Sequence, residues 1–313
     1  MSISLNPSQM NVALLAGGTS GERDISIESG KGALQALQEA GFNVTVFDPA
    51  KKDDLKALID GNFDVAFLCT HGRFGEDGTL QGFLELIGLP YTGPGVWSSA
   101  TSINKTISKV VYKHANIPTP SSISLTSRHQ YSNEHIIAAV GEHCVVKPDT
   151  EGSTLGITII TKASELDAAL DEAFKHDRTV IAESFVSGTE LTVAVIGNDD
   201  PIALPVIEIV PSHSFYDFES KYAPGGSKHI CPAPLSEEQT KLVQDLALQS
   251  HKALQCSGMS RTDIIIDGMT AWVLETNTVP GMTATSLLPD AGAAAGISFP
   301  ELCTKLIGYA LEK

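Results

Sequence analysis

The chain has 313 residues, 42% of them hydrophobic, more than one core usually encloses, so two or three domains are expected. Its formal charge is −16 and no basic cluster stands out, which argues against nucleic acid or an anionic membrane surface as the main partner. The five cysteines are scattered without a CxxC pair, no segment reaches ~18 uninterrupted apolar residues, and the N-terminus lacks the form of a signal peptide; a cytoplasmic protein in a reducing compartment is expected.

The first third alternates strand and helix. "NVALLAGG" reads as a buried strand ending in glycines, followed by a helix carrying Ile27, Ala33, Leu34 and Leu37, with Gly41 as its stop. "FNVTVFD" and "DVAFLC" read as strands around a helical "DDLKALID", a βαβ pattern that implies a parallel sheet. Ligands usually bind at the carboxyl ends of such strands, where "GGTSGERD" and "THGRFGEDG" lie. "YTGPG" marks a boundary, and one helix is expected from about Ser98 to His114. Short strands follow at "SSISL", "CVVKP", "GITII" and "TVIAESFV", with a helix near Ala163 to Phe174. The last third opens with strands "ELTVAVIG" and "PIALPVIEIV" and continues through an irregular segment after Pro211, of a length that usually marks a functional loop. A helix from about Glu237 to Cys256 leads to "RTDIIID", a turn at Asp267-Gly268, and "AWVLETNT".

These last two strands read as a hairpin. Alternation puts Arg261 and Asp263 on one face, and Glu275 and Asn277 on one face of the partner strand. Pairing could gather Asp263, Glu275 and Asn277, hard ligands suited to Mg²⁺, with Arg261 able to face a phosphoryl group. A solvated hairpin face with a surface ion pair fits the same spacing. Lys147 ends an apolar strand, which calls for an anionic partner, and "EGSTLG" after it has the content of a phosphate-covering loop. Neither a Walker A motif nor GxGxxG is present.

The ordered set "GGTSGERDIS", "HGRFGEDGTLQGFLE", "YTGPGV", "VVKPDTEGSTLG", "GTELTVAV", "FYDFESKY", "CPA", "RTDIIID" and "LETNTVPGMTATSL" resembles the D-alanine–D-alanine ligases, from Ala16 to Leu287. The resemblance implies an α/β, three-domain ATP-grasp architecture with an N-terminal parallel α/β domain. A substrate domain would span residues 1–95, a central ATP-grasp subdomain 96–183, and a C-terminal ATP-grasp subdomain 184–313, with the metal site and a lid loop at 211–231. It implies ligation of two D-alanines with ATP through an acyl phosphate, for peptidoglycan synthesis. D-lactate or D-serine as second substrate, or a non-catalytic nucleotide-binding protein, are the alternatives; Lys221-Tyr222 resembles the dipeptide-forming enzymes.

By the same resemblance, Lys105, Lys147 and Lys221 would contact ATP phosphates. Glu183, Ser184, Phe185 and Val186 would form the adenine hinge, and Glu190 would hold the ribose. Asp263, Glu275 and Asn277 would bind two Mg²⁺ or Mn²⁺ ions. Arg261 and the Gly281 N–H would stabilise the tetrahedral oxyanion. Glu22 and His71 would receive the first D-alanine, while Ser286 and the Leu287 backbone would take the second carboxylate. Glu22, Ser153 and Tyr222 would form a hydrogen-bonded link. A homodimer is common in that family, though nothing in this chain shows an interface. Departures from the pattern are Asn104 where Asp is expected before Lys105, Phe218 for Tyr, Val279 for Ser, and His229 for an aromatic.

Overall fold

The computed structural model describes residues 5–152, 156–211, 227–283 and 285–313. The expected βαβ region is present: β1 (Asn11–Leu15), α1 (Arg23–Glu39), β2 (Asn43–Phe47), α2 (Lys52–Asp60) and β3 (Val65–Leu68), followed by α3 (Thr79–Leu86). The strands form a parallel sheet in the order β2-β1-β3. Helix α1 ends before Gly41, whose positive φ of 93° suits a residue without Cβ. Its buried stripe differs from expectation: Ile27 and Leu34 are only half-buried, and Ser26, Ser29, Gly30, Ala33, Ala36 and Leu37 face inward. Small residues bring the helix close to its support; a Cβ on Gly30 would lie 2.5 Å from that of Ala16.

The single helix expected from Ser98 to His114 is two: α4 (Val96–Ile103) and α5 (Lys105–His114). The break falls at Asn104, an extended residue whose side chain accepts a hydrogen bond from the Ile107 N–H at 2.8 Å. Asn104 is thus the N-cap of α5, a position where Asn and Asp serve equally. The middle sheet, ordered β4-β7-β5-β6, is antiparallel: β4 (Ser122–Leu125), β5 (Cys144–Pro148), β6 (Thr158–Ile160) and β7 (Val180–Ser184). It is covered by α6 (Asn133–Val140), absent from the sequence reading although Ser132 caps it, and by α7 (Leu166–Ala173).

The third sheet runs β11-β10-β8-β12-β13, with β9 beside β8. Its strands are β8 (Thr189–Gly197), β9 (Ile202–Ala203), β10 (Ile207–Pro211), β11 (Ser227–Ile230), β12 (Gly258–Asp267) and β13 (Thr270–Asn277). The strand expected at "PIALPVIEIV" is therefore divided into β9 and β10. Helix α8 (Glu237–Ala253), opened by a Ser236/Gln239 capping box, packs on this sheet and stops short of Cys256. Two helices close the chain, α9 (Leu287–Ala294) and α10 (Phe299–Leu311). They bury Leu288, Leu302 and Leu306 in the same cluster as Leu14, Leu15 and Phe67, so the chain's end completes the core of its beginning. All five cysteines are free, and among the described residues no helix is long and apolar enough to cross a membrane.

Candidate active site

A cavity of about 130 Å³ lies between the middle and third sheets. Lys147 of β5, Glu183 of β7, and Ser184, Phe185 and Val186 line one side; Glu190 of β8, Asp263 of β12 and Glu275 of β13 line the other. Phe185 stacks on His143 with ring centroids 3.9 Å apart and planes 13° from parallel.

The hairpin β12–β13 pairs Arg261 with Asn277 and Asp263 with Glu275. Between Asp263 and Ile264 the register shifts, because Ile264 pairs with Val273 and Leu274 is left over. Continued from the turn without that bulge, the ladder would set Asp263 opposite Leu274, with Glu275 and Asn277 on the other face. The extra residue is what gathers the polar groups. The Asn277 amide donates to Asp263 Oδ2 at 3.0 Å, and Arg261 grips the same carboxylate through Nη2 at 2.9 Å and Nε at 3.2 Å. Thr192 of β8 joins them: its hydroxyl donates to Asp263 Oδ1 at 2.6 Å and accepts from Arg261 Nε at 3.0 Å. On the opposite face, Thr262 and Thr276 are buried, and Tyr112 of α5 donates its hydroxyl to Thr276 at 2.8 Å.

That bond fixes α5 behind the hairpin, and the same helix stripe carries Lys105 and Lys109. Lys105 Nζ donates to the Glu151 carbonyl at 2.9 Å and lies 3.4 Å from Glu275 Oε2. Lys147 finds the anionic partner its position required: Glu183, which is shared with Lys109 at 2.7 Å. Burial pushes the Glu183 carboxyl up, but Lys147 and Lys109 together hold it at about 2. Burial lowers the pKa of Lys109; for Lys147 the charges of Glu183 and Glu275 outweigh burial and raise it.

A second group of residues surrounds the N-terminus of α1. Glu22 immediately precedes that helix, and its carboxylate lies so close to two backbones that a Cβ on Gly72 or on Gly152 would come within 2.7 Å of it. Arg23 pairs with Asp48, and Asp48 in turn accepts the Gly18 N–H at 2.9 Å, fixing the loop after β1. His71 Nδ1 meets Glu76 Oε1 at 3.2 Å and Nε2 meets Ser29 Oγ at 3.0 Å. Burial disfavours the imidazolium, yet the Glu76 hydrogen bond and the charges of Glu76 and Glu22 raise its pKa. Gly281 precedes Met282, whose N–H donates to Ser29 Oγ at 3.3 Å. Ser286 is the residue before α9, and its hydroxyl accepts the Thr283 N–H at 2.9 Å, with Leu287 opening the helix.

Of the residues expected from sequence, Ser153, Lys221 and Tyr222 lie outside the described residues, as does most of the 211–231 loop. The rest fall into these two neighbouring groups. Lys109, Thr192, Ser29 and Glu76 were not anticipated; the four-residue step from Lys105 to Lys109 on one helix is the signal that could have found the first. Among the departures, His229 meets Asp290 of α9 at 3.0 Å, and Val279 is buried in the first core cluster. Among the described residues no three His, Cys, Asp or Glu side chains gather as a metal site; the hairpin set is two carboxylates and an amide.

A parallel α/β unit followed by two antiparallel sheets, with a cavity between them lined by Lys147 and by the carboxylates of Glu183, Glu190, Asp263 and Glu275, is the ATP-grasp ligase arrangement. Models of the "D-ala D-ala ligase C-terminus" and "D-ala D-ala ligase N-terminus" match residues 111–308 and 49–94. A D-alanine–D-alanine ligase of Syntrophobacter fumaroxidans is 44% identical over 310 residues, 98% of this chain and all of that one. The crystal structure of the Bacillus anthracis D-alanine–D-alanine ligase complexed with ATP superposes with a TM-score of 0.85 at 31% identity, covering 97% of this chain and 98% of that one. The VanG D-Ala:D-Ser ligase of Enterococcus faecalis reaches the same TM-score at 31% identity, covering 96% and 99%. The chain belongs to the D-alanine–D-alanine ligase family.

Proposed function

We propose that this protein joins two D-alanines into D-alanyl-D-alanine while ATP is converted to ADP and phosphate, supplying peptidoglycan precursors. The observation that carries this is the meeting, beside one cavity, of Lys147 and Lys105 with Asp263, Glu275, Asn277 and Arg261. The adenine would lie at Ser184, Phe185 and Val186 beside Glu183, the ribose at Glu190, and the phosphates at Lys147 and Lys105. The division at 95/96 and 183/184 would then separate the substrate domain from the two halves that grip the nucleotide.

A free carboxylate is a poor electrophile, so the first D-alanine carboxylate attacks the γ-phosphorus and ADP leaves. The resulting acyl phosphate is attacked at its carbonyl by the amine of the second D-alanine, and phosphate departs. Little of this needs covalent help from the protein; orientation and charge stabilisation supply most of the rate. Glu22 pairs with the first ammonium, and the N-terminal end of α1 beside it favours anions. Arg261 and the Gly281 N–H face the oxyanion that develops at the carbonyl carbon. The amides opening α9 and the Ser286 hydroxyl receive the second carboxylate. Lys221, Tyr222 and Ser153 are assigned roles by family resemblance alone.

The donor set fits hard divalent cations. Asp263 and Glu275 offer carboxylates, and Asn277, whose nitrogen is committed to Asp263, offers its amide oxygen. Bound there, Mg²⁺ or Mn²⁺ would neutralise phosphate charge. Phosphate release measured with ATP, Mg²⁺ and D-alanine, and then with D-serine or D-lactate beside it, tests the proposal. Release that does not depend on D-alanine, or that requires D-serine or D-lactate, would overturn it.

A further inference from the structure

The turn that carries Gly281 is gripped from beneath by α1. Ser29, fully buried, accepts the Met282 N–H at 3.3 Å. One helical turn further, Gly32 lies directly under the other end of that residue: a Cβ there would be 2.6 Å from the Met282 carbonyl oxygen. Helix α1 thus holds both polar groups of Met282, one by a hydrogen bond and one by the absence of a side chain. Upstream of Gly281, the Val279 carbonyl lies against the His71 ring. His71 also meets Ser29 at 3.0 Å and is anchored from behind by Glu76 at 3.2 Å. Gly281 is therefore flanked on both sides by backbone groups tied to one polar cluster. None of that cluster belongs to the nucleotide cavity.

We propose that Ser29 and Gly32 are positioning residues that set the Gly281 N–H, with Glu76 acting through His71. Helix α1 then fixes the distance between its two ends of the chemistry: Glu22 at its start, and the oxyanion donor held by Ser29 and Gly32 about two to three turns along. This rests on the ligase reading above. A backbone donor placed for charge that develops only in the transition state stabilises that state far more than the bound substrates.

Ser29→Ala leaves the Met282 N–H without its acceptor, and Gly32→Ala forces the Met282 carbonyl to move. Each is expected to lower turnover by roughly 10-fold to 10²-fold, less than the ~10²–10³-fold of deleting an oxyanion donor. Affinity for a tetrahedral phosphinate analogue of the dipeptide should fall by the same factor. KM for ATP and binding of a nonhydrolysable ATP analogue should stay within about twofold of wild type. Glu76→Gln should give a smaller loss in the same direction, and Lys31→Ala, on the exposed face of α1, none. D-alanine-dependent phosphate release by the wild-type protein tests the ligase reading; the ratio of variant to wild type tests the clamp. Normal turnover in both folded variants would overturn the proposal. So would an equal loss of ATP-analogue and phosphinate affinity, which is what general loosening produces.

Discussion

Lys109 lies outside every motif noted in the sequence, yet it is 1% exposed and shares the carboxylate of Glu183 with Lys147. Two cations around one anion leave one positive charge to face a phosphate. Lys109→Met keeps the length of the side chain and removes its charge, so Glu183 would claim Lys147 alone. Burial alone would raise the Glu183 pKa, but Lys147 and Lys109 hold it at about 2, well below its ordinary 4.5, so the two lysines together keep the carboxylate charged. Breaking a buried pair on one side typically costs about 3–5 kcal/mol, and since Lys147 remains, the lower end is expected for the loss in unfolding free energy. ATP-analogue binding should weaken by about 10-fold or more, because Lys147 is no longer spare. Urea unfolding and titration calorimetry measure the two effects separately. Lys109→Met with Glu183→Gln should recover part of the stability, since a neutral amide needs no counter-charge, and the cycle gives the coupling directly. If Lys109→Met behaved like Lys241→Met on the surface, the shared-carboxylate account would fail.

Arg261→Ala should reduce turnover by roughly 10²-fold or more while ATP-analogue binding changes much less, and Arg261→Lys should not restore it, since a point charge cannot replace the planar fork; near-normal turnover in the alanine variant contradicts the role. Thr192→Val preserves shape but removes the hydroxyl between Arg261 and Asp263, so the Mg²⁺ concentration giving half-maximal activity should rise severalfold and Thr192→Ser should bring it back. An unchanged Mg²⁺ titration would show that Asp263 needs no such support. Burial and Lys252 push His251 down to about 4 from 6.5, so the unfolded chain binds the extra proton between those values. Stability is full above about pH 6.5 and is lost as pH falls, by about 2 kcal/mol at pH 5, and His251→Asn should remove that part of the slope; equal slopes in the two proteins would refute it.

What the sequence makes legible is what short-range chemistry dictates. The βαβ unit follows from apolar strands closed by glycines, and the Asp267-Gly268 turn announces a hairpin. Lys147 at the end of an apolar strand demands a partner, and Glu183 is there. Local signals also explain two failures. The expectation of one helix from Ser98 to His114 passes over Asn104, although Asn is a preferred cap, and so merges α4 with α5. Ser132 and Ser286 precede α6 and α9 but lack the strong apolar period that would have revealed those helices.

The harder limits are of register and of distance along the chain, although the expected gathering of Asp263, Glu275 and Asn277 is what the structure shows. Alternation alone puts Glu275 and Asn277 on a common face, but whether that face is Asp263's depends on parity across the turn. Counted outward from the Asp267–Thr270 pair, simple alternation gives the wrong answer; one unpaired residue, Leu274, corrects it. A bulge of this kind has no reliable local signature, because it relieves a conflict between the turn's register and the groups that must meet. The same limit hides Thr192, which is 69 residues from Arg261, and Ser29, which is 253 from Met282. Each is a small hydroxyl residue in an ordinary element, with nothing nearby in the chain to mark it. Its meaning comes entirely from what the fold brings to it. A site of this construction can be recognised by the charged groups that face its substrates, while the groups that aim them become visible only once the strands and helices have been set in register.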